Sequence, residues 1–131
     1  MPVRAGLIAL VALVAAGGCR ESGRRRWVNL EKNAQGVRRD VPFWTSSASM
    51  QACLREGMKR LDAGVKAADA FEGGQCAEGR IGDVPHRTPV ELLLPASSQC
   101  EPLARVRVAS GLLKGKVGCL PPEVLSDHPI P

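Results

Sequence analysis

The sequence predicts an α+β domain in which one amphipathic helix is followed by a small, disulfide-bonded antiparallel β-domain. Three observations carry this expectation. Apolar residues recur with a period of 3.6 through residues 48–71, a period of two sets in after residue 79, and four cysteines remain once the N-terminal apolar segment is set aside.

That segment comes first. Arg4 precedes the run Leu7-Ile-Ala-Leu-Val-Ala-Leu-Val-Ala-Ala-Gly-Gly-Cys19, which has a charged start, an apolar middle of about ten residues and a small-residue exit. A membrane-spanning helix needs roughly twenty apolar residues, so the run reads as an export signal. Its end, Ala16-Gly17-Gly18-Cys19, resembles the lipobox of bacterial lipoproteins, although the family usually carries a larger aliphatic residue where Ala16 stands. The resemblance implies that residues 1–18 are removed and that Cys19 becomes the lipidated first residue, carrying acyl chains such as palmitate. An ordinary signal cut after Val14-Ala15-Ala16 would instead leave Cys19 as an odd thiol in an exported protein.

The remaining 113 residues suffice for one small domain. Its aromatic residues are Trp27, Phe43, Trp44 and Phe71, with no tyrosine, so the core is expected to be mainly aliphatic. Charge is uneven: residues 20–39 hold seven basic and two acidic residues, whereas residues 40–131 hold ten and eleven. Residues 19–26 therefore read as a lipidated basic tether, with Arg24, Arg25 and Arg26 available to anionic head groups at about 1 kcal/mol per charge near the surface. A solvated linker is the competing reading. Nucleic acid is not an expected partner, because no aromatic residues interleave with the arginines.

Within residues 27–79, two apolar clusters, Trp27-Val28 and Val41-Pro-Phe-Trp-Thr45, flank the turn-forming Asn33-Ala-Gln-Gly36, and the second leads into the helix. The helix is expected over residues 48–71, with Met50, Leu54, Met58, Leu61, Val65 and Ala68 as its apolar stripe. Ser46, Ser47 and Ser49 supply capping oxygens and Gly73-Gly74 a stop. Gly57 and Gly64 interrupt it, so either a neighbour packs closely there or the helix breaks near Gly64.

Residues 80–126 read as strands. Val90-Glu-Leu-Leu-Leu94 lies between prolines, Leu103-Ala-Arg-Val-Arg-Val-Ala109 alternates apolar and charged residues, and Lys114–Leu120 returns after the turn Ser110-Gly-Leu-Leu113. A polar tail of residues 127–131 follows. In Thr88-Pro-Val-Glu-Leu-Leu93, Val106-Arg-Val with Gly111, Gly115-Lys-Val-Gly118 and Pro121-Pro-Glu-Val-Leu125, residues 81–125 resemble a bacterial SH3-like barrel over about a third of the chain. The resemblance implies a small barrel closed by a one-turn helix before the last strand. Two departures stand out: Cys119 occupies the position of the family's Trp, and Val124 that of its Tyr. Peptide-binding members line their groove with aromatic rings. Residues 81–125 contain none, so no ligand-binding role passes to a residue here.

Cys53, Cys76, Cys100 and Cys119 form an even set with three possible pairings. The favoured one joins Cys53 to Cys76, tying the helix to the segment after Gly73-Gly74, and Cys100 to Cys119, pinning the hairpin where the family's Trp would pack. Metal ligation is disfavoured because no Cys-x-x-Cys pair occurs and the gaps exceed usual ligand spacing. His86 and His128 have no evident nucleophile partner, and no Gly-x-Ser-x-Gly elbow is present.

These readings converge on a lipid-anchored protein of the bacterial cell envelope, facing the periplasm, whose β-domain is a structural or interaction module without catalytic activity or cofactor. Its expected partners are the bilayer through Cys19 and peptidoglycan or another envelope protein. Arg20 in place of the Asp associated with inner-membrane retention favours the outer membrane. The alternative is a small secreted hydrolase or inhibitor with an unrecognised site.

Overall fold

The computed structural model describes residues 22–131, and Cys19 with the signal segment lies outside them. The fold is α+β: seven strands form one antiparallel sheet, three helices lie between its second and third strands, and two disulfides cross-link it. The strands are β1 (Ser22–Val28), β2 (Val41–Trp44), β3 (Arg80–Val84), β4 (Pro89–Leu94), β5 (Ala104–Val108), β6 (Val117–Leu120) and β7 (Leu125–Ser126). Their order is β3-β2-β6-β5-β4-β1-β7, and a 3₁₀ turn at Pro122–Val124 joins β6 to β7.

The expectation of a helix followed by a separate β-domain from residue 80 is therefore corrected. β1 and β2 precede the helices yet belong to the same sheet. The supposed tether is corrected too, since Ser22–Val28 pairs along β4 from Ser22 opposite Leu94 to Trp27 opposite Pro89. Trp27 and Val28 pair on the other side with Ser126 and Leu125. Val28 is fully buried and holds the strand's far end in the core, while Arg24 and Arg25 ride exposed on paired backbone. Charged side chains of this kind are common on strands near a sheet edge, where they discourage unwanted pairing.

The single helix expected over residues 48–71 is two, α1 (Ser47–Asp62) and α2 (Ala67–Ala70), and a third, α3 (Gly74–Gly79), follows where a stop was expected. Ser46 caps α1, its Oγ accepting from the Ser49 N–H at 3.0 Å. The break falls at Gly64, whose φ of +90° suits glycine. There the Gly64 N–H donates to Leu61 O and the Val65 N–H to Arg60 O, the paired bonds of a Schellman stop. The buried face of α1 also differs from the expected stripe. Leu54 and Met58 are 48% and 54% exposed, and the helix instead turns Cys53 and Gly57 inward.

Two cores result. The first, within the sheet, packs Val28, Leu30, Phe43, Val84, Val90, Val106, Val108 and Leu120. The second, beneath the helices, packs Trp44 with Cys53, Cys76, Cys100 and Cys119, flanked by Met50, Phe71 and Leu103. Strand β2 serves both, because its consecutive residues Phe43 and Trp44 point to opposite faces. Opposite them the backbone of β6 comes close: a Cβ on Gly118 would lie 2.6 Å from Trp44 O and 2.9 Å from Phe43 Cζ.

Candidate functional site

A cleft of about 360 Å³, with apolar lining and several polar groups, opens at one end of the sheet. The β3–β4 turn forms one wall and the β5–β6 hairpin the other. Val84, Pro85, Pro89, Val108 and Leu113 supply apolar lining, with Asp40, Asp83 and Arg87 as charged lining groups. Leu112, at the hairpin tip, is fully exposed.

The turn wall is built in an unusual way. Pro85, His86, Arg87 and Thr88 close a turn in which the Thr88 N–H and Oγ1 both donate to Pro85 O, at 3.3 and 2.8 Å. Arg87 has φ +68°, the left-handed region that a type II turn requires at this position and that normally selects Gly or Asn. Its N–H donates to Val28 O at 2.6 Å, and the Val28 N–H donates to Thr88 O at 2.9 Å, so β1 holds the turn in place. His86 Nδ1 accepts from the Leu30 N–H at 2.9 Å. That leaves the proton of the neutral ring on Nε2, which is buried without a hydrogen-bond partner.

Chemically the cleft suits recognition. Ser110 lines it beside His86, yet no hydrogen bond joins the two among the described residues, and His86 Nδ1 is already engaged by backbone. A nucleophile needs a base within hydrogen-bond reach. In the tail, Ser126, Asp127 and His128 adjoin in sequence without forming a triad. Asp127 Oδ1 meets His128 Nδ1 at 2.7 Å, but Ser126 Oγ donates to the backbone carbonyls of His128 and Trp27, at 2.6 and 3.3 Å. The contact with His128 holds the Asp127 carboxyl below the ordinary carboxylate range. Among the described residues no group of three or more His, Cys, Asp and Glu side chains is placed to hold a metal ion.

The residues singled out in the sequence are distributed as follows. Arg24, Arg25 and Arg26 lie in β1, outside the cleft lining, with Arg26 opposite Val90 and so next to cleft-lining Pro89. Arg25 stands opposite Glu91 and Glu91 opposite Arg107, so a charged row crosses β1, β4 and β5 on the outer face of the sheet. Arg107 Nη1 lies 3.5 Å from Glu91 Oε2, a half-exposed pair of small energetic weight. The disulfides join Cys53 to Cys76 and Cys100 to Cys119, the pairing favoured among the three. His86 belongs to the cleft and His128 to the tail. The cleft as a whole escaped sequence reading; its one signal was a Pro-His-Arg-Thr turn lacking the expected glycine or asparagine.

No family model matches the chain, and comparison with curated proteins and with solved structures finds no match. Among the described residues no helix is long and apolar enough to cross a membrane.

Proposed function

We propose that this protein is a lipid-anchored component of the bacterial envelope, with its signal in residues 1–18, lipid on Cys19 and an SH3-like domain that serves as a non-catalytic interaction module. The observation that carries the SH3-like reading is the path β1, β4, β5, β6, 3₁₀ turn, β7, in which β7 returns to pair with β1. A one-turn helix before the last strand is the closure the motifs around residues 81–125 imply, and the return of that strand to β1, outside that range, adds to it. In this reading β2, β3 and the helices are an insertion between the barrel's first two strands. Two disulfides in a small domain support an oxidising compartment.

The module's contact surface is the cleft between the β3–β4 turn and the β5–β6 hairpin. Its apolar lining accepts a partner's apolar side chain, and Asp40, Asp83 and Arg87 offer charged anchors beside it. Peptidoglycan peptide and an envelope protein segment both fit that description.

Intact mass of the protein extracted from membranes tests the anchor. A diacylglyceryl adduct on Cys19 and a gain of four hydrogens on reduction are expected; an unlipidated secreted form overturns the lipoprotein reading. Co-sedimentation with purified peptidoglycan, compared with Leu112→Asp, tests the cleft. Equal binding by the variant excludes the cleft as the contact for that partner.

A further inference from the structure

We infer that the domain stands directly on an anionic membrane surface on its β1 end, with the cleft directed away from the bilayer. The inference rests on the lipoprotein reading of Cys19 and deepens it. The sheet begins at Ser22, three residues after Cys19. Three residues of extended chain span at most about 10 Å. A lipid on Cys19 therefore leaves almost no slack between the bilayer and the first hydrogen-bonded residue of the domain. The basic residues expected to form a loose tether are part of the folded body instead.

This attachment fixes which end of the sheet faces the membrane. Ser22 is opposite Leu94, so the start of β1 and the β4–β5 loop after Leu94 share the proximal end. Trp27 and Val28 lie at the other end of the strand, where Val28 exchanges hydrogen bonds with the turn that walls the cleft. Seven strand residues at a rise of about 3.3 Å separate the two ends by about 20 Å. The cleft and Leu112 are thus carried to the distal end, open to the aqueous compartment.

Charge at the proximal end suits anionic head groups. Arg24 and Arg25 are exposed within two and three residues of Ser22, and Arg26 follows half-buried. Glu101, in the β4–β5 loop, opposes them at this end, whereas Arg107 belongs to the distal half of β5, beside Val108 and paired with Glu91. Because Arg24–Arg26 ride on paired strand, they are presented without the ordering cost a flexible tether would meet. Each charge held at an anionic surface contributes about 1 kcal/mol, so Arg24 and Arg25 together bias orientation by about thirtyfold before screening by salt.

The full lipidated protein, reconstituted in vesicles containing phosphatidylglycerol, provides the test. A photo-crosslinking residue is placed at Ala96, in the proximal β4–β5 loop, in one preparation and at Leu112 in another. Intact mass of each preparation first reads the lipid on Cys19. The expected result is at least about tenfold more lipid adduct from Ala96 than from Leu112. That ratio should fall in purely zwitterionic vesicles, at high salt, and in the Arg24→Gln, Arg25→Gln, Arg26→Gln variant. Lipid on Cys19 with equal adduct from the two positions overturns the docked orientation and leaves the lipoprotein reading standing. Absence of lipid on Cys19 overturns both. The salt and vesicle arms keep Arg24, Arg25 and Arg26, so they decide the matter even if the triple variant folds poorly.

Discussion

The ring of Phe71 lies so close over Gly57 that a Cβ at that glycine would sit 2.1 Å from its Cδ1 and Cε1 atoms. Phe71 follows α2, and its contact is what folds the short helices back onto α1. Gly57→Ala should therefore destabilise the protein by about 1–3 kcal/mol through overpacking, although alanine favours the helix by about 1 kcal/mol. Combining it with Phe71→Leu should recover most of the loss. Thermal unfolding of the single and double variants checks this; a stabilised Gly57→Ala protein would show that the ring yields freely.

Both disulfides meet Trp44 in one cluster, with Trp44 opposite Cys119 across β2 and β6. Removing either bond as a paired Cys→Ala variant should cost about 2–4 kcal/mol, given loops of 23 and 19 residues. Because the two bonds share packing partners, their losses should not add. Urea unfolding of the two paired variants and the cysteine-free form measures the coupling. Additive losses would mean that the cluster behaves as two separate sites.

Arg87 carries a left-handed backbone at φ +68°. Such a conformation costs a non-glycine residue about 1–2 kcal/mol. Arg87→Gly should accordingly raise stability, by about 1 kcal/mol after glycine's own entropy cost. The denaturation midpoint reads the outcome, and a lowered midpoint would show that the Arg87 side chain stabilises the turn by more than the strain removes.

Asp127 titrates below the ordinary carboxylate value of 3.8 because His128 hydrogen-bonds and attracts its carboxylate. A lowered folded value stabilises the folded state above the unfolded value, and the contribution disappears as pH falls from there through the folded value. His128→Gln should return Asp127 towards the ordinary value. Carboxyl-carbon NMR titration follows the shift directly, and an unchanged Asp127 would rule out His128 as its cause.

Much of the β-region was legible because alternation is a local signal: Val106 and Val108 point into the core while Arg107 points out, as a half-buried strand demands. The start of α1 was legible for the same reason, in the serines that cap it. Strand β1 was not, because its pairing with β4 joins residues more than sixty apart and its arginines look solvated on their own. The face of α1 was misread because Leu54 and Met58 complete a convincing stripe. Cross-linking to Cys76 and the closeness of Phe71 to Gly57 rotate Cys53 and Gly57 inward instead. The cleft depends on two distant loops meeting, and no single stretch of sequence contains it.

All four cysteines of the domain fall in the second core, and none in the first. The two halves of the molecule therefore respond differently to a reducing medium. Strands packed around Phe43 and Leu120 retain every partner when the thiols are free, whereas the helical insertion loses the Cys53–Cys76 bond that holds α3 to α1, and the β4–β5 loop loses its tie to β6. Amide hydrogen exchange on reduced protein should accordingly show α1 and α3 opening while β4 and β5 stay protected, so that the insertion is completed only where an oxidant is present.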